Sequence, residues 1–306
     1  MLGVGARNIQ WTHVLYFFIA SIVLPIYLTI LICLLILRRG VQLFQTTFYV
    51  ILIQQAIADI LTIVLYTIHK ILVYTIPEVL FRNQDLGIPA VTHSYLLWFT
   101  VIRSFGICFL TFHRYLTIVK PRSYMAQPWV IWLIYWVPPV SFSLIFFTEP
   151  NIQFDSPETL IFVMEQEDRD DYSGVSMIYL FTFCVFCTVS YGLIMKHVRK
   201  SSNSLTNVVH RELRLAFQVL LLLAAQLVLF GYMTLQNNFA NSNDSEVREL
   251  IKGLSPLVNG CLSFISPITI LLFNKDLLRR VKKMIRGRKN DDRSEVSVVG
   301  TSASMK

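Results

Sequence analysis

Charged residues are scarce in this chain, and none of its cysteines stands in a loop. Asp, Glu, Lys and Arg make up 15 % of the 306 residues, whereas soluble domains carry roughly 25 %. All five cysteines fall within long apolar runs, so none is available for a disulfide that would staple a loop. These two deficits argue against a soluble globular protein and against a disulfide-rich secreted one.

The motifs of membrane enzymes are missing as well. The sequence has no His-Glu-x-x-His motif, no pair of aspartates within an apolar stretch and no cysteine–histidine cluster. A retinal protein would need a lysine deep in the last apolar stretch, whereas Lys252 stands at its edge. We therefore predict that the protein is not an enzyme and that it has no cofactor and no metal site.

Seven apolar stretches dominate what is present. Each is long enough for the ~20 apolar residues that cross a ~30 Å hydrocarbon core as a helix. Backbone polar groups in lipid must be paired internally, so these stretches have to be helical. The result is a predicted all-α membrane protein, a seven-transmembrane helix bundle with a short cytoplasmic amphipathic helix 8. The stretches occupy 13–37, 46–73, 94–118, 129–148, 173–196, 213–236 and 251–273.

Basic residues are concentrated on one side of the bundle. Of 27 Lys and Arg, 20 lie in or beside alternate connections and the C-terminal region, against six on the opposite side. Positive charge marks the cytoplasmic side, so we predict a multi-pass protein of the plasma membrane with its N-terminus outside and its C-terminus inside. The predicted regions are an extracellular N-terminus at 1–12, the bundle at 13–273, the amphipathic helix at 274–289 and a disordered cytoplasmic tail at 290–306.

The net charge of +8 is mostly this cytoplasmic excess. Ten basic residues follow Asn274, and anionic lipid of the inner leaflet fits them better than nucleic acid does. We expect the lipid bilayer as a partner and no nucleic acid.

Two of the outer connections have notable sequences. The connection 149–172 carries eight carboxylates and is either a solvated loop or an electrostatic lid. The last one contains the sequon Asn243-Asp244-Ser245, a candidate glycosylation site.

Two ionisable residues lie within the predicted helices, where a charge is expensive and needs a partner. At 1.5 Å per residue, Asp59 is about 20 Å and Arg103 about 16 Å from the inner edge. We predict that they form a buried salt bridge, either as a purely structural pair or as a lock on the inactive state. Asn259, Ser263 and Ser266 could join a polar network around Asp59, or simply connect helices by hydrogen bonds.

The inner end of the third stretch reads His113-Arg114-Tyr115, followed seven residues after the arginine by Pro121. It resembles the Asp/Glu-Arg-Tyr motif of rhodopsin-like G-protein-coupled receptors. The resemblance implies a switch and G-protein-coupling role for these three residues, with Tyr191 in the place of the fifth-helix tyrosine. Because His113 replaces the acidic residue that would restrain Arg114, Glu212 is the candidate to supply that restraint.

More closely, the chain resembles the nematode serpentine chemoreceptors of the gamma superfamily, class V. The stretches that carry this resemblance are Pro25-Ile-Tyr27, Phe44-Gln-Thr-Thr-Phe-Tyr49 leading to Asp59, and Thr111-Phe-His-Arg-Tyr115. The resemblance implies a chemosensory receptor in sensory neuron cilia that binds a small molecule or peptide and activates a heterotrimeric G protein. A seven-helix transporter or ligand-gated channel is the alternative.

Ligand contacts are expected in the outer halves of the helices. Depth alone selects the candidates, and aromatic side chains at helix ends are also typical interfacial anchors. The candidate set is Tyr66, His69, His93, Tyr95, Trp98, Gln226 and Tyr232.

Overall fold

Seven helices of the computed structural model coincide with the seven apolar stretches. The structure describes residues 10–119, 127–144, 152–158, 160, 162–163, 166–200, 207–239 and 245–285. Most of the seven extend past the predicted limits by several residues. They are α1 (Trp11–Gly40), α2 (Thr47–Thr75), α4 (Ile88–Val119), α5 (Pro128–Leu144), α6 (Gln166–Lys200), α7 (Asn207–Phe239) and α8 (Ser245–Phe273).

Shorter elements join or follow these helices. A 3-10 helix at Gln42–Gln45 precedes α2, and the helix α3 (Pro77–Arg82) and a 3-10 turn at Gln84–Leu86 precede α4. Two short antiparallel strands, β1 (Gln153–Phe154) and β2 (Phe162–Val163), lie before α6, and α9 (Lys275–Ile285) follows α8. We call the end of the bundle where α1 begins the outer side, following the orientation that the charges predict.

Local sequence explains several of the boundaries. Arg38 and Arg39 occupy the last turn of α1, where cations stabilise the negative end of the helix dipole. Pro77 begins α3, since its fixed φ suits the first helical turn and its missing donor costs nothing there. Gly87 has φ 77°, a left-handed conformation that glycine adopts without steric cost. It ends the 3-10 turn just before α4.

Six of the described helices are long and apolar enough to cross a membrane, namely α1, α2, α4, α6, α7 and α8. The helix α5 is a shorter apolar helix, with 17 described residues. Its predicted stretch continues to 148, and residues 145–150 lie outside the described part. The architecture confirms the prediction of an all-α, seven-helix membrane bundle.

The helices α2 and α4 form the centre of the bundle. Helix α4 packs against α2, α5, α6 and α7, while α2 also packs against α1, α5 and α8. The other helices present large apolar side chains outward, such as Phe18 on α1 and Ile178 on α6, each more than 60 % exposed. In water this surface would be unfavourable, whereas lipid solvates it. Polar side chains at mid-depth on α2 and α4, such as Asp59 and Arg103, are therefore buried inside the bundle.

The last helix, α9, begins with a side-chain cap. The Oδ1 atom of Asn274 accepts a hydrogen bond from the Leu277 amide at 3.1 Å, and its Nδ2 atom donates to the Tyr49 hydroxyl at 2.9 Å. The cap satisfies a free amide of the first turn and ties α9 to α2. Leu277 and Val281 are buried in the main core, while Lys282 and Lys283 are exposed.

Candidate functional site

Arg103 lies buried at mid-depth and donates to three oxygens. Its Nε atom donates to the carbonyl of Phe99 at 3.1 Å, one turn earlier in α4. Its Nη1 atom donates to the hydroxyl of Ser263 at 2.6 Å and to the carbonyl of Asn259 at 3.1 Å, both on α8. The side chain is 1 % exposed, and a buried cation is tolerated only with such partners.

The structure corrects the predicted direct salt bridge between Arg103 and Asp59. Ser263 lies between them, since its hydroxyl accepts from Arg103 and donates to Asp59 Oδ1 at 3.4 Å. Helical rise placed the two charges at a common depth, but it did not fix the direction in which the guanidinium points. Arg103 reaches toward α8, where one nitrogen finds both a carbonyl and a hydroxyl. The ion pair is therefore bridged through a third helix.

The second carboxylate oxygen of Asp59 is bound from α1. The hydroxyl of Tyr27 donates to Asp59 Oδ2 at 2.7 Å and lies 2.7 Å from the Ser266 hydroxyl. Tyr27 has one proton and gives it to the carboxylate, so Ser266 is the donor to Tyr27. All three side chains are fully buried. The polar chain from Arg103 to Tyr27 thus connects α4, α8, α2 and α1.

Helix α5 joins the network through glutamines of α2. The Nε2 atom of Gln55 lies 3.5 Å from Asp59 Oδ1, and the Tyr135 hydroxyl donates to Gln55 Oε1 at 2.9 Å. One residue earlier, Gln54 Oε1 accepts from the indole of Trp136 at 2.9 Å. Gly106 of α4 leaves room for the contact between Gln55 and Tyr135, because a Cβ at position 106 would lie 2.5 Å from the Tyr135 hydroxyl.

Asn259 contributes differently from the expectation. Its side-chain Nδ2 donates to the carbonyl and the hydroxyl of Ser255 at 3.0 and 3.1 Å, within α8 itself. Only its main-chain carbonyl contacts Arg103. Of the three α8 residues considered from the sequence, Ser263 bonds to the carboxylate directly and Ser266 is connected to it through Tyr27, whereas the side chain of Asn259 bonds to Ser255.

At the inner end of α4, Arg114 is buried against an aromatic ring. Its guanidinium carbon lies 3.5 Å from the centroid of the Phe48 ring on α2, within the range of a cation–π interaction. The His113 ring lies 6.2 Å from the same phenylalanine and within 3.5 Å of the Thr117 hydroxyl. Phe48 therefore positions two of the three motif residues.

The other residues of the inner set are spread around this point. Tyr115 is half-buried against the core. The Tyr191 hydroxyl on α6 donates to the carbonyl of Ala216 on α7 at 3.0 Å, which links the inner ends of these helices. Glu212 belongs to α7, but its side chain lies outside the described residues, so its restraint of Arg114 stays a prediction.

At the outer side, several of the candidate ligand residues converge. The rings of His69 and Tyr95 lie 5.6 Å apart, and Tyr66 packs at 4.6 Å from Tyr16 of α1. The hydroxyl of Tyr232 donates to the carbonyl of Ile251 at 2.9 Å, which orients it between α7 and α8.

Three further candidates lie on α4 and α7. The His93 ring packs at 5.4 Å from Phe162 of β2, and Trp98 is half-buried one and a half turns deeper. Gln226 is fully buried, and neither end of its amide has a hydrogen-bond partner among the described residues. A buried amide without a partner is costly, which makes Gln226 the candidate best prepared for a polar ligand.

Parts of the outer surface lie outside the described residues. They include Asn243 of the sequon and the side chains of the acidic run 165–171. The two short strands are described, and the Phe154 amide of β1 donates to Gln84 Oε1 at 3.0 Å. The strands therefore lie over the outer end of α4.

Several residues of the central and inner sites could not be named from the sequence, although most of them share a recognisable signal. Tyr27, Gln55 and Tyr135 are hydrogen-bonding side chains in otherwise apolar stretches. A polar group in lipid needs an internal partner, so each could have been assigned to the Asp59 network. Phe48 carries no such signal, because one more aromatic residue in an apolar helix is unremarkable.

A comparison of the sequence with models of protein families assigns the chain to a known class. The family model described as serpentine type 7TM GPCR chemoreceptor Srv matches residues 16–287, from within α1 to just past α9. No individual curated protein matches the chain. The match confirms the resemblance to the nematode class V receptors, a class of receptors and not of enzymes. The chain therefore belongs to the Srv family of serpentine seven-transmembrane, G-protein-coupled chemoreceptors.

Proposed function

We propose that this receptor binds a small molecule or peptide in the outer half of the bundle and activates a heterotrimeric G protein at the inner end of α4. One observation carries the proposal: a buried polar chain ties α1, α2, α4 and α8 together at mid-depth. It runs through Tyr27, Asp59, Ser263 and Arg103. It lies between the outer candidate residues and Arg114, where a shift of one helix alters the contacts of the other three.

Ligand binding acts on this chain through α8. Tyr232 of α7 contacts the outer part of α8 at Ile251, and Ser263 holds the chain three turns deeper on the same helix. A ligand that displaces Tyr232 or fills the space beside Tyr66 favours a different position of α8. Such a ligand shifts an existing equilibrium by its difference in affinity for the two positions.

At the inner end, the G protein binds where Arg114 is released. In the resting arrangement the guanidinium is covered by Phe48, and Tyr191 bonds to α7. Movement of α7 away from α6 breaks the Tyr191 bond and opens a crevice beside Arg114. We propose that Glu212, near the start of α7, restrains Arg114 until α7 moves.

The proposed topology follows the charges. The N-terminus with residues 1–12 lies outside the cell, and α9 lies along the inner leaflet of the plasma membrane as part of the amphipathic segment 274–289. The tail 290–306 extends into the cytoplasm. We also propose that Asn243 carries a glycan in the last outer connection, and that the receptor resides in sensory neuron cilia, a location that the family resemblance supports.

Guanine-nucleotide exchange tests the proposal. Odorants and short peptides are screened in a heterologous cell with a second-messenger readout, and active compounds are tested on purified receptor with G protein. Arg114→Gln should abolish ligand-stimulated exchange, whereas the matched Arg82→Gln on the outer side should retain it. A ligand-evoked current in the absence of any G protein would instead indicate a channel and overturn the proposal.

A further inference from the structure

An apolar groove runs between α1 and α2 in the outer half of the bundle, separate from the polar chain and lined by none of the candidate ligand residues. It has a volume of about 500 Å³. From Ile63 to Ile71 its α2 wall is about 12 Å long at 1.5 Å per residue. The lining side chains are Phe17, Ala20, Ser21, Leu24, Ile63, Val64, Thr67, Ile68 and Ile71.

Both walls continue toward the outer side into polar residues. Residues three, four and seven apart share a helix face, so the α1 face through Leu24, Ala20 and Phe17 continues to His13. By the same spacing, the α2 face through Ile63 and Thr67 continues to Lys70 and Tyr74. The rings of His13 and Tyr74 meet edge-on at 6.0 Å, which shows that the two faces converge above the groove.

Two polar side chains at this end, those of His13 and Lys70, are candidates to bind a ligand. His13 is 8 % exposed, and neither ring nitrogen has a hydrogen-bond partner among the described residues. Lys70 is half-buried, and its ammonium lies 5.7 Å from the centroid of the Tyr66 ring. Among the described residues no carboxylate forms an ion pair with it. His13 and His69 both lie near Lys70.

We propose that this groove binds a free fatty acid of medium chain length, with the acyl chain between α1 and α2 and the carboxylate between Lys70 and His13. An acyl chain gains about 0.8 kcal/mol for each buried CH₂ when it leaves water. The groove is lined mainly by apolar side chains, and the hydroxyls of Ser21 and Thr67 donate to carbonyls of their own helices. A carboxylate accepts charge-assisted hydrogen bonds from an ammonium and from an imidazole N–H. The site faces the bilayer, so the ligand enters from the outer leaflet.

A lysine near a helix end also extends to the headgroup region without any ligand. Two features favour a bound carboxylate over that explanation. Lys70 stands five residues before the end of α2, about 7 Å inside it by helical rise. The neighbouring His13 is buried, and within the described part of the chain both of its nitrogens are unpaired, which an extended lysine does not explain.

Binding of radiolabelled decanoate to the full-length receptor tests the proposal. The receptor is placed in nanodiscs of zwitterionic phosphatidylcholine, and no G protein is needed, so the result does not depend on the proposed coupling. Lys70→Gln and His13→Gln should each weaken binding by about tenfold or more, as expected for loss of a charge-assisted hydrogen bond. Lys70→Arg keeps the charge and should retain binding, which separates loss of the site from loss of the fold.

The chain portion of the site is tested by filling the groove. Ser21 is exposed on its wall, so Ser21→Phe should block decanoate. Ala224→Phe is the control, at a lipid-facing position of α7. Equal binding of decanol would overturn the role of the carboxylate, and unchanged binding in Ser21→Phe would overturn the groove. Displacement by phosphatidylglycerol at the same concentration would identify a site for anionic membrane lipid and would also overturn the proposal.

Discussion

Replacement of Ser263 by alanine should release the resting state of the receptor. The hydroxyl accepts a hydrogen bond from Arg103 at 2.6 Å and donates to Asp59 at 3.4 Å. Its removal leaves the guanidinium nitrogen with the Asn259 carbonyl alone and takes one donor from the carboxylate. Hydrogen bonds to charged groups contribute about 1.5–3 kcal/mol each. The resting arrangement should therefore lose stability by that order, a roughly ten- to hundredfold shift in a conformational equilibrium.

Two measurements on purified Ser263→Ala test this reasoning. The midpoint of thermal unfolding should fall by a few degrees, and ligand-independent guanine-nucleotide exchange should rise. Thr269→Val is the matched control, because the buried Thr269 hydroxyl bonds only to the carbonyl of Ser266 in its own helix. Ser263→Thr keeps the hydroxyl and should restore the low basal exchange.

The outcomes separate a structural role from a switch. A lower midpoint with unchanged basal exchange would mean that the bridge stabilises both states equally, and its role in the resting state would be refuted. Midpoint and exchange equal to those of Thr269→Val would refute the energetic argument as well.

Two further variants test the packing around the site. Gly106→Ala should lower the unfolding midpoint by the equivalent of about 1–3 kcal/mol, because the added methyl group meets the Tyr135 hydroxyl. Gly192→Ala, where an added Cβ meets nothing within 4 Å, should leave the midpoint unchanged or higher, and a drop of the same size in both would contradict the close-approach argument. Asn274→Ala removes the cap of α9 and the bond to Tyr49, at a cost of about 0.5–2 kcal/mol. Hydrogen exchange should accelerate in α9 only, and protection equal to that of the unmodified receptor would show that the cap is unnecessary.

The seven helices were predictable because lipid imposes one simple requirement, a long apolar helix for each crossing. Their ends were not. Helix α6 begins at Gln166 inside the acidic run, seven residues before the predicted start at 173. Apolar composition marks only the part of a helix that lies in the hydrocarbon layer. The backbone hydrogen bonds of the helix continue beyond that layer, where the sequence is no longer apolar. The two-residue strands β1 and β2 are too short to leave a periodic signal.

The depth of the two central charges could be predicted from the sequence, but the direction in which the Arg103 side chain points could not. Rise along a helix brought Asp59 and Arg103 to one level, which agrees with their connection through Ser263. The identity of the bridging residue depends on the rotation of α8 about its axis, and packing against α1 and α7 determines that rotation. Tyr27 illustrates the same limit, because its contact spans 32 residues to Asp59 and 239 residues to Ser266.

The contact between Arg103 and the Asn259 carbonyl has a consequence for sequence change. A main-chain acceptor is present whatever side chain occupies position 259, and the Asn259 side chain bonds only within its own helix. Position 259 can therefore vary among receptors that keep this arginine, while position 263 cannot lose its hydroxyl without loss of the bridge. Part of the charged centre is thus protected against mutation, which would allow neighbouring α8 positions to diversify toward new ligands.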